Sequence, residues 1–89
     1  MEAMAKAGAN LGLADDLSLE LCERTFAGTA KLLRESRLSP LALRSRVTTP
    51  GGTTAAGLEQ LDKHGLNEAF IDALEAAARR SETLADELA

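Results

Sequence analysis

Between Leu17 and Leu33 the apolar and small residues do not keep to a single stripe. Placed at 100° per residue, Leu17, Leu21, Gly28 and Leu32 fall on one side of a helix, and Leu19, Cys22, Phe26 and Leu33 continue that surface around it. The arc spans roughly 200°, against the ~100° of an ordinary surface helix. Glu20, Glu23, Arg24, Lys31 and Arg34 fill what remains. A helix of this kind needs apolar neighbours on two sides. The chain has 89 residues, one small domain with a thin core, so a second copy of the chain is the natural source of the missing neighbour.

The rest of the chain reads as further helix. Residues 1–10 form a first segment that ends near Gly12, and it starts without a cap. Asp15 and Asp16 place carboxylates in the first turn of the second helix, where the dipole favours them, and that helix runs to about Ser36. Ser39-Pro40 is an N-cap followed by Pro at the first helical position, opening a short helix over 41–47 that carries Arg44 and Arg46. A helix over 55–64 stops at Gly65 as a left-handed cap. Asn67 is expected to cap the last helix, with Leu66 and Ile71 spaced as a hydrophobic staple. That helix gathers Phe70, Ile71, Leu74, Ala77, Ala78, Ser81, Leu84 and Ala85 on an arc of roughly 160° that reads as buried. No segment alternates as a strand does; Val47-Thr48-Thr49 stops at Pro50. The expected class is all-α, five helical segments joined by short loops.

Composition narrows the function. The net charge is -4, with two Phe, no Tyr and no Trp, which gives neither the basic footprint nor the stacking surface of a nucleic-acid binder. No run approaches the ~20 apolar residues of a membrane span. The single cysteine, Cys22, has no internal disulfide partner, and an intracellular, cytoplasmic setting is expected. On the apolar arc it reads as a structural thiol. His64, the only histidine, reads as a C-terminal interaction with the helix dipole, and no Cys/His cluster offers a metal site. Arg79 reads as solvated, and Arg80 sits at the edge of the last helix's apolar arc.

One segment has chemistry of its own: Val47-Thr48-Thr49-Pro50-Gly51-Gly52-Thr53-Thr54. A Pro-Gly-Gly turn can be a plain connector. Here four threonine hydroxyls surround the glycine pair, and a helix N-terminus with unpaired N–H groups follows at once. That suits a single carboxylate or similar small anion. No Lys follows the glycines, so this is not a nucleotide P-loop, and no G-x-G-x-x-G is present.

This segment and its surroundings resemble the C-terminal domain of the pyrroline-5-carboxylate reductases. The resemblance rests on Leu43-Arg44, on Val47 through Thr54 with Thr49 where the family usually has Ser, on Gly12-Leu13, Thr29-Ala30-Lys31, Leu58-Glu59-Gln60-Leu61 and Arg80-Ser81. Thr83 stands where the family often has Glu. The resemblance implies a small helical bundle, of the kind found C-terminal in 6-phosphogluconate dehydrogenase, that interlocks with a second copy as a homodimer or higher oligomer. It implies that residues 1–89 are the dimerisation and substrate-binding domain of an enzyme reducing 1-pyrroline-5-carboxylate to L-proline. NADPH or NADH would be bound by an N-terminal Rossmann domain outside this chain. The uncapped start at Met1 fits a helix whose opening Gly-Ser-Gly-Pro-Ala segment lies outside it. The site would be composite, with the nicotinamide from one protomer and the loop from the other. Thr49, Pro50, Gly51, Gly52, Thr53 and Thr54 would form the substrate loop. The carboxylate would sit on the N–H groups of Gly52, Thr53 and Thr54 and the hydroxyls of Thr49 and Thr54. Thr54, nearest the ring nitrogen, is the catalytic candidate. The alternative is a helical dimerisation module with no ligand site. A two-domain dehydrogenase of the β-hydroxyacid type fits less well, because Lys31 and Lys63 lack the context of that family's catalytic lysine.

Overall fold

A computed structural model describes all 89 residues. It contains five helices and no strand: α1 Glu2–Asn10, α2 Asp15–Ser36, α3 Pro40–Val47, α4 Thr53–Lys63 and α5 Leu66–Leu88. The chain divides into two compact units, Met1–Arg46 and Val47–Ala89.

In the first unit, α1 packs on α2. The turn between them closes as a Schellman motif: Leu13 N–H donates to the Gly8 carbonyl and Gly12 N–H to that of Ala9, with Gly12 at φ +108°. This folds Leu13 back over Gly8, whose absent side chain leaves room for it. The same gap admits Ser18 of α2, the most buried residue of the chain at 2% exposure. Its hydroxyl donates to the Ala5 carbonyl at 2.6 Å, which removes the cost of burying an unpaired polar group. Cys22, one turn on, is buried beside it as expected of a structural thiol. Ser18 stands at the middle of the arc read from α2, 100° from both Leu17 and Leu19, but as a small polar residue it adds no hydropathy signal of its own. A Cβ at position 8 would run into the Ser18 hydroxyl. Gly8→Val should therefore cost about 1–3 kcal/mol of stability by overpacking, read as a lowered denaturation midpoint, whereas Ser18→Ala should cost about 1 kcal/mol.

The helix ends follow local chemistry, with three departures from the sequence reading. Asp15 and Asp16 lie in the first turn of α2 as expected. Arg37, at φ 57°, ends that helix in the left-handed region. Ser39 caps α3, its hydroxyl accepting from Ala42 N–H at 3.0 Å. Gly65, at φ 72°, stops α4 in the expected conformation. Asn67, however, does not cap α5. The Gly65 carbonyl accepts from Ala69 N–H at 2.9 Å, so Gly65 is itself the N-cap and Asn67 falls inside the first turn. Leu66 is then the first helical residue, which removes the staple geometry. Likewise α4 starts two residues earlier than its apolar pattern, at Thr53, with Gly52 as N-cap and no side-chain cap. The third departure is the α5 face read as buried. No residue of α5 is buried within the chain; Phe70 is 62% and Leu74 68% exposed. On α2, Leu17, Leu19, Leu21, Phe26 and Leu32 are likewise exposed, so a single chain leaves most of that arc uncovered.

Candidate functional site

The segment that joins α3 to α4 gets its shape from two residues. Pro50 fixes φ near −65° at the second position of a turn, and Gly51 supplies φ +75° at the third. That pair is the signature of a type II turn. The closing bond is present: Gly52 N–H donates to the Thr49 carbonyl at 2.8 Å. Gly52 is favoured by proximity rather than by its dihedral, since a Cβ there would stand a tight 3.0 Å from the Thr49 carbonyl oxygen. Its carbonyl then accepts from Ala56 N–H at 3.1 Å and begins α4.

This geometry sets the donor inventory. With Ala56 N–H making the first helical bond, the N–H groups of Thr53, Thr54 and Ala55 bond to no backbone carbonyl, and they lie at the positive end of the α4 dipole. The Gly52 N–H, expected among the donors to an anion, is already engaged within the turn. Thr54 is half-buried, while Thr49, Pro50, Gly51 and Thr53 are exposed. Thr49 through Thr54 thus form one contiguous turn-and-cap element, all of it within the second unit. It presents backbone N–H groups and threonine hydroxyls to solvent and carries no side-chain charge.

The remaining candidate residues do not join a site. His64 is the C-cap residue of α4. Arg80 pairs with Glu87 of its own helix at 3.6 Å, both exposed. No group of His, Cys, Asp and Glu side chains could hold a metal ion. No helix is long and apolar enough to cross a membrane. Nor do these residues fit a dinucleotide: the glycine pair follows a helix rather than a strand, and the βαβ fingerprint is missing.

The family profile described as pyrroline-5-carboxylate reductase dimerisation matches residues 1–84. The chain belongs to that family. It is 42% identical over 88 residues to pyrroline-5-carboxylate reductase 1 of Bacillus spizizenii, covering 99% of this chain and 30% of that protein. It is 42% identical over 84 residues to pyrroline-5-carboxylate reductase of Synechocystis, covering 94% of this chain and 32% of the relative. The crystal structure of Plasmodium falciparum pyrroline carboxylate reductase with NADP bound superposes with a TM-score of 0.86 at 32% identity, over 90% of this chain and 30% of that one. The chain therefore spans about 30% of the length of the curated relatives it matches. Its all-α fold is that of the reductase dimerisation domain.

Proposed function

We propose that the chain is the C-terminal part of a pyrroline-5-carboxylate reductase, an enzyme that forms L-proline from 1-pyrroline-5-carboxylate with NADPH or NADH. In this reading the chain dimerises with a second copy, and its Thr49–Thr54 loop holds the substrate. The observation that carries the loop's role is the set of unpaired N–H groups at Thr53 and Thr54, opened by a turn that Gly51 and Gly52 lock in place. The carboxylate accepts from those two N–H groups and from the Thr54 hydroxyl, with Thr49 Oγ1 beside it. The missing side-chain charge is no obstacle, because backbone donors at a helix N-terminus suit an anion without a cation.

Holding the carboxylate orients the ring, so that the C=N carbon is presented from a fixed direction. Orientation of this kind supplies part of the ~7–11 kcal/mol available from positioning. Thr54 lies nearest the ring nitrogen and hydrogen-bonds the imine or amine. The hydride donor is held by residues outside these 89.

The loop serves the other subunit's dinucleotide. Mixed dimers test this. Subunits carrying Thr54→Ala, about 10- to 100-fold impaired as a homodimer, are co-assembled with subunits whose dinucleotide site is disabled and which are inactive alone. Random two-fold pairing should restore about a quarter of wild-type activity, through one intact composite site in half of the dimers. No restoration would mean that loop and dinucleotide act within one subunit. Full activity of the Thr54→Ala homodimer would leave the loop a plain connector, in a dimerisation module without a ligand site.

A further inference from the structure

We infer that α5 is held helical by a second copy of the chain, so that the folding of residues 66–88 and dimerisation are a single event; this rests on the dimeric reading above. Three features of α5 argue for it. First, its start is weak: the N-cap is Gly65, with no side-chain hydrogen bond. Such a cap gives less than the Ser, Thr, Asp or Asn that strong helix starts use. Second, its own side chains add little. The Glu75–Arg79 pair at 3.9 Å and the Arg80–Glu87 pair at 3.6 Å are both largely exposed, and such pairs contribute little. Third, it has no core. Phe70, Ile71, Leu74 and Leu84 are 62%, 54%, 68% and 41% exposed, and no residue of the helix is buried.

Yet the sequence of α5 is strongly two-faced. From Phe70 to Leu84 the apolar side chains and the intervening Ala77, Ala78 and Ser81 make one stripe about 21 Å long at 1.5 Å per residue. Glu68, Asp72, Glu75, Arg79, Glu82 and Asp86 take the opposite face. Monomeric proteins rarely leave a continuous apolar stripe of that length in water, and helices in proteins owe most of their stability to packing of the amphipathic face. The occupant is a second copy rather than an unrelated protein. The family to which residues 1–84 belong is a dimerisation family, and α2 of the same chain leaves Leu17, Leu21 and Phe26 exposed in the same way. The α1–α2 pair differs, because Ser18 and Cys22 give it a small core of its own.

Hydrogen–deuterium exchange of the 89-residue chain over a dilution series, with sedimentation at the same concentrations, tests this. Protection of α5 peptides should rise and fall with the dimer fraction, and in the monomer they should exchange within about tenfold of the unstructured rate. Phe70→Asp should abolish dimer and α5 protection together at concentrations where the unaltered chain is dimeric. A monomer whose α5 stays protected would overturn the inference and leave the dimer standing. So would a dimer whose α5 exchanges freely. A chain that sediments as a monomer at every concentration would overturn both.

Discussion

Thr54→Ala, in an enzyme of which this chain is the C-terminal part, should lower kcat/KM roughly 10- to 100-fold, the loss of a hydrogen bond to a charged group worth about 1.5–3 kcal/mol. Thr54 is the second residue of α4 and half-buried. Its backbone donor survives the change, and the helix start is untouched because the cap is Gly52. The hydroxyl alone is removed. If Thr54 contacts only the carboxylate, KM should rise and kcat stay near the wild-type value, the mark of an interaction equal in ground and transition states. If the hydroxyl also reaches the ring nitrogen as it gains its proton, kcat should fall too. Thr54→Ser keeps the hydroxyl and should recover most of the loss. Steady-state kinetics in both substrates, with L-proline as product inhibitor, separates these cases, and unchanged values for Thr54→Ala would remove the loop from the reaction.

A charge placed on the apolar arc of α2 should have the largest effect on assembly. Leu21 is 46% exposed in the single chain. In the dimer proposed above, its burial against a second copy would be worth part of the ~1.5–3 kcal/mol of a fully buried leucine, and two-fold symmetry would count the loss twice. Leu21→Asp adds the cost of desolvating a carboxylate without a partner. The dimer dissociation constant should rise by at least about 100-fold, a figure of about 2.7 kcal/mol. Sedimentation equilibrium reads this directly. Glu20→Gln, at a neighbouring exposed position whose only ion pair is with Arg24 at 2.9 Å, should leave it within about twofold.

What the sequence made legible was whatever is governed by local chemistry. The left-handed stop at Gly65, the cap at Ser39 and the carboxylates at Asp15 and Asp16 follow from φ/ψ freedom, side-chain acceptors and the helix dipole. Asn67 misled because a good capping side chain stood two residues after a glycine that could both end one helix and begin the next. The start of α4 was misplaced because threonines rank low as helix formers, yet as its first two residues they leave their N–H groups facing out. The arc of α2 is centred on Ser18, yet its burial was not legible because it depends on Gly8, ten residues away, and on a turn that only the folded chain displays. The exposed face of α5 is a different matter. Its amphipathic pattern predicts a covered face, the single chain leaves that face exposed, and the pattern holds no record of which chain would cover it.

The loop shows the same division. Pro-Gly-Gly announces a turn and the threonines announce donors. The hydrogen bond from Gly52 to Thr49 then decides which N–H groups remain, and they are those of Thr53, Thr54 and Ala55 rather than that of Gly52. The most direct test therefore watches these amides. In the protein that joins this chain to its dinucleotide-binding part, ¹H–¹⁵N spectra should be recorded with the oxidised dinucleotide as L-proline is added. The Thr53 and Thr54 amide signals should move downfield and saturate together with L-proline binding, the Gly52 amide should move little, and L-prolinamide, which lacks the carboxylate, should fail to reproduce the shift. L-proline binding to saturation with the Thr53 and Thr54 amides unmoved would contradict the account.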